Sequence, residues 1–176
     1  MPAERPWSVP VRLAEAARGP ATRALSADEA ARTRIARALG LEALARLQAE
    51  LTLSPWLDGA ELQGRWSADT TQLCSLSGEA FEQPLQGGFT VRVLPQGSPN
   101  APAEEAEVAV DPEADDPPDI AEDDQLDLAG YVVEHLALEI DPFPRKPGAV
   151  FAPPEQAEPP SPFDVLKDFK PREPPG

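Results

Sequence analysis

The chain is short of the residues on which most site chemistry depends, with one cysteine and one histidine among 176 residues. A single cysteine excludes an internal disulfide and fits a reducing compartment. A single histidine leaves Cys74 one possible base, His135, and nothing in the sequence orders the pair or supplies the third group of a triad. His135 falls inside a predicted amphipathic helix beside Glu134, where a surface or boundary position is expected. There is no P-loop and no G-x-G-x-x-G. No run approaches the roughly eighteen apolar residues of a membrane span. The start, MPAERPWSVPVRL, lacks the apolar stretch of a signal peptide, so a soluble cytoplasmic protein is expected. Lys and Arg are absent from residues 96–124, which hold eleven acids. Of the net charge of −16, that segment supplies −11 and everything else −5.

Proline, in contrast, is abundant at 23 residues, and it marks length that is not packed core. The reading is one domain at 1–150 with a disordered acidic insertion at about 96–124, then a Pro-rich tail at 151–176. Within the tail, SPFDVLKDFK at 161–170 places Phe163, Leu166 and Phe169 at helical spacing. Such a segment is either a clip onto its own domain or a docking motif for a partner.

The order of elements follows from periodicity. Residues 26–39 predict a helix with Ser26 as N-cap, Glu29 at the capping-box position and Gly40 past the end. Ala31, Ile35, Ala38 and Leu39 form its apolar face, leaving Thr33, Arg34 and Arg37 pointing away. Those arginines are either plain solvated surface or a contact for RNA, and residues 1–40 carry seven arginines against four acids. Alternation predicts strands at 44–54 and 62–68 around the turn Leu57-Asp58-Gly59, and a third from Phe89 to Pro95. Gly87-Gly88 reads as a bulge or turn entering that strand. Asp127 caps a second helix through about Glu139.

These elements predict an α+β fold: an antiparallel meander, strongly curved or partly closed into a barrel, joined by a strand at about 8–13 and covered by two helices. Trp66, with Arg65 on the opposite strand face, is expected to be buried, which leaves Trp7 or Trp56 as platforms for a nucleic-acid base. The stretch DPEADDPPDIAE spaces acids like a calcium loop, but Asp116 stands at the glycine position, Pro117 and Pro118 stiffen the middle, and no helix leads in.

The order of motifs resembles the large ribosomal RNA subunit accumulation protein family, also called YceD, and especially its alphaproteobacterial branch. Cys74 falls on the first cysteine of that family's C-x-x-C-x-x-x-F pattern, Ser77 on the second and Phe81 on the aromatic. Leu126, Asp127 and Leu128 match the entry to the helix and Glu134 its acidic position. Asp141 to Ala149, with Pro142, matches the D-P-[FY]-P-R-K-P-G-A segment, and Pro162, Phe163, Val165 and Leu166 match P-F-x-V-L. Serine is a hard, weak ligand in place of a thiolate and no cysteine lies near 145–151, so a Cys-rich zinc site is unavailable. Cys74 is then expected to pack as a small apolar residue at a strand end. The resemblance implies a non-catalytic role in accumulation of large-subunit ribosomal RNA, with precursor rRNA or ribosomal and assembly proteins as partners. No cofactor, metal, membrane or small-molecule substrate is expected. Arg34, Arg37, Arg145 and Lys146 are the candidate contacts. The competing expectation is an acidic adaptor that holds a basic protein without touching RNA.

Overall fold

Leu47, Ala49, Leu51 and Leu53 alternate with polar residues, which dictates a strand with one dry face. The core of the computed structural model, which describes residues 5–102 and 116–151, is built on that strand. In chain order the elements are β1 (Pro10–Arg12), a 3-10 segment (Leu13–Arg18), β2 (Ala21–Ser26), α1 (Glu29–Leu39), β3 (Ala43–Trp56), β4 (Gly59–Leu73), β5 (Ala80–Pro95), β6 (Asp119–Ala121), β7 (Gln125–Asp127) and α2 (Leu128–Glu139). The expected α+β architecture and its meander are present: β2, β3, β4 and β5 pair antiparallel in that order, and β6 adds to β5 in parallel.

The sheet is open, which corrects the expectation of a partly closed barrel. Neither β2 nor β6 has a second sheet partner among the described residues. Closure is not needed to dry the apolar face, because α1, the 3-10 segment and α2 pack across it. The strand expected at 8–13 also lies elsewhere: β1 pairs with β7 in a separate two-stranded ladder, with Pro10 opposite Asp127.

Two cross-strand pairs fix how β4 and β5 pack. Gly64 lies opposite Phe89 and Trp66 opposite Gly87, so each ring rests on a neighbour without a side chain. A Cβ on Gly87 would come within 2.8 Å of the Trp66 ring, and one on Gly64 would overlap Phe89. Gly87-Gly88 is therefore ladder inside β5, and the bulge or turn expected there is absent.

The helices follow their sequence signals with small shifts. Asp28, not Ser26, caps α1, accepting the Ala31 N–H at 2.7 Å. Ser26 is held opposite Gln48 as the last residue of β2, and the Ala27 N–H donates to Leu47 O, so strand geometry persists past the expected cap. Gly40, left-handed at φ 69°, ends the helix as anticipated. Ala31, Ile35 and Ala36 are buried and Ala38 is exposed, a slight rotation of the expected face.

The acidic insertion is ordered at both ends, contrary to the disorder expected across 96–124. Asp58 at the hairpin tip accepts from Ser98 Oγ and Asn100 Nδ2, both at 2.9 Å. On the return side β6 lies along Val93–Pro95 and buries Ala121. Composition averaged over the segment hides this short apolar pair, Ile120-Ala121. Asp119 is a strand residue, which disposes of the calcium-loop spacing, while 111–115 lie outside the described residues.

Candidate functional site

Asp127 gathers three donors on one carboxylate. Its Oδ1 accepts the Val9 N–H at 2.8 Å and caps α2 through the Gly130 N–H at 3.3 Å, and its Oδ2 takes Arg5 at 3.0 Å. The next residue, buried Leu128, donates its N–H to Val9 O at 3.1 Å. Burial raises the Asp127 carboxyl, but the Val9, Ser8, Arg5 and Gly130 donors outweigh it and hold the group below the usual carboxylate range. The cap was legible in the sequence. The arm it grips, which brings Trp7 into the core, was not, because nothing local links residues 5–9 to 127.

At the opposite end of the sheet, Cys74 follows β4 and is buried as expected, yet it is not a plain apolar filler. The hydroxyl of Ser77 hydrogen-bonds its sulfur, the backbone N–H of Lys146 adds to this, and the N–H groups of Ser77 and Leu76 help against burial. Together they lower the thiol to about 7. Ser77, at the position of a second cysteine, thus supplies a hydrogen bond where a metal ligand would stand. The segment after α2 closes this end: Pro144 O accepts the Ser75 N–H at 2.8 Å and Lys146 Nζ meets Glu79 at 3.0 Å. Phe81 lies half-buried opposite Gln72, and Pro142 is exposed. Among the described residues no cluster of His, Cys, Asp or Glu could hold a metal ion.

The four nominated cations differ in their contacts. Arg34, Arg37 and Arg145 are exposed, with Arg34 donating to Pro6 O at 2.9 Å, and half-buried Lys146 is paired with Glu79. Arg37 and Arg145 flank one end of the sheet, since Glu42, just past α1, bonds Thr71 and the stretch holding Arg145 bonds Ser75. Arg23 is paired with Glu15 at 3.5 Å. The polar sheet face is likewise neutralised, with Arg46 forked onto Asp69 at 2.8 and 3.1 Å and Arg92 on Glu61 at 3.2 Å. Trp7 and Trp66 are buried, and Trp56 is covered by Arg92 at 5.2 Å, so the base-stacking candidates are spoken for.

A groove of about 640 Å³ runs between the Arg5–Pro10 arm, β6 and α2. Asp119, Asp123, Asp127 and Glu134 line it against Arg5. Its wall residue Tyr131 donates to Asp119 at 2.8 Å, and burial followed by that bond raises its phenol. His135 stacks on Phe89 with ring centres 4.2 Å apart, and burial lowers its pKa despite Glu134. It is a half-buried packing residue, and Cys74 lies in the far turn of the sheet, between β4 and β5. No helix among the described residues is long and apolar enough to cross a membrane.

The motif positions coincide with these anchors: Cys74 and Phe81 at the closed turn, Asp127 and Leu128 at the clamp, Glu134 on the groove. Pro162, Phe163 and Leu166 lie outside the described residues. No curated protein and no solved structure matches the chain. The family model described as large ribosomal RNA subunit accumulation protein YceD matches residues 62–170, more than half of the sequence. That family is one of rRNA accumulation factors and not a known enzyme family. The chain belongs to the YceD family.

Proposed function

We propose that this protein supports accumulation of 23S ribosomal RNA without catalysis, acting in the cytoplasm on its synthesis, processing or stability. The family match over 62–170 carries the reading. In this reading Arg37 and Arg145 make the RNA contact, supported by their exposure, while Arg34 and Lys146 hold other parts of the chain. Depleting the protein is expected to lower the ratio of large- to small-subunit rRNA. In an electrophoretic shift with precursor fragments, Arg37→Glu with Arg145→Glu should weaken binding about tenfold and flatten its salt dependence. Unchanged binding by the double variant would remove direct RNA contact from the proposal.

A second reading, a protein adaptor, rests on the acidic groove, whose carboxylates suit the cationic side chains of a ribosomal or assembly protein. Pull-downs with and without ribonuclease separate the two. RNA-dependent capture of pre-ribosomal proteins supports the first, and one basic protein retained after digestion supports the second.

A further inference from the structure

The exposed large apolar side chains of the described residues are Leu57, Leu73, Ile120, Leu138, Phe143, Val150 and Phe151, and the last four fall in the short stretch 138–151. Leu138 is 78% exposed and Val150 82%. This stretch is pinned in place: Ser75 holds the carbonyl of Pro144, Lys146 holds Glu79, Asp141 takes the Phe143 N–H at 2.8 Å and Ala149 N–H turns back to Lys146 O at 3.0 Å. Bare apolar groups on a fixed scaffold mark an interaction surface.

We propose that this surface seats residues 161–170 of the same chain. The 25 residues after Phe151 contain four large apolar side chains, Phe163, Val165, Leu166 and Phe169, all inside that segment. On a helix, Phe163, Leu166 and Phe169 span an arc of about 120°, an apolar stripe of the width that a flat patch accepts. Eleven residues separate Phe151 from Phe163, five of them proline. At about 3.1 Å per residue in an extended proline-type chain they reach roughly 34 Å, ample to fold back on the stretch from which they leave. A tether of that length holds the segment at an effective concentration on the order of millimolar, so it occupies the patch ahead of any partner of weaker affinity. The inference does not depend on the RNA or adaptor reading.

The test is photo-cross-linking in the full chain with p-benzoylphenylalanine at position 163, using an equal mixture of isotopically light and heavy protein. Cross-links to Leu138, Phe143, Val150 or Phe151 within one chain are expected, falling at least tenfold with Leu138→Asp plus Phe143→Asp while circular dichroism is retained. Mixed light–heavy products would assign the patch to a second copy and overturn the proposal. Cross-links elsewhere, or none, would overturn it too. Cutting the chain after Phe151 should also increase binding of an apolar dye severalfold; unchanged dye binding counts against it.

Discussion

Replacing Asp127 by alanine removes at once the cap of α2, the acceptor for the Val9 N–H and the partner of Arg5. A cap and a charged hydrogen bond lost together predict a destabilisation of about 2–4 kcal/mol, read from urea denaturation. The charge is separable through pH. A carboxyl lowered in the folded state contributes stability that is complete above the ordinary value near about 4 and is lost as pH falls through the lower folded value. Asp127→Asn should therefore differ from the parent protein at pH 7 and converge with it in strong acid; a gap independent of pH would refute this account. At Cys74, Ser77→Ala removes the largest contribution to the lowered thiol. The ultraviolet thiolate absorbance, titrating near about 7 in the parent, should move upward in the variant.

At the scale of elements, β4 and β5 are keyed by glycine under rings, and Gly87→Ala forces a methyl into the Trp66 ring. Overpacking predicts a loss of about 1–3 kcal/mol, and much less when Trp66→Leu is already in place, which a double-mutant cycle in urea measures. These elements also show what sequence can and cannot disclose. Long strands and both helices were legible because periodicity and caps are local signals, seen in Leu47 to Leu53 and in Gly40. The openness of the sheet was not, since it depends on which helices cover the apolar face. β6 was hidden because three residues leave no period, and its parallel pairing is decided by Val93–Pro95, far away in sequence. The site divided in the same way. Asp127 was visible as a cap and Ser77 as a neighbour of Cys74, whereas the Lys146 donor at Cys74 comes from a segment joined only by folding.

For the molecule as a whole, the acidic insertion is a charge store attached to a frame held at both ends, by Asp58 and by β6. Replacing residues 103–115 with a neutral Gly-Ser linker of equal length removes six acids and takes the net charge from −16 to −10. Because those anchors remain, the calorimetric midpoint is expected to move by less than about 3 °C. Affinity for precursor rRNA at low salt should rise, as a less negative protein repels phosphate less. A midpoint shift above about 10 °C would mean that the stretch packs on the core.

The ladder of β1 on β7 has a consequence in time. Pro10 meets Asp127 across almost the whole described length, and Val9 waits for the same carboxylate. During synthesis at about 5–20 residues per second, the arm remains without its partner for on the order of ten seconds after it is made. The arm, made well before its partner, is thus among the last of the described elements to find its place, and the start of α2 is the event that releases it from waiting.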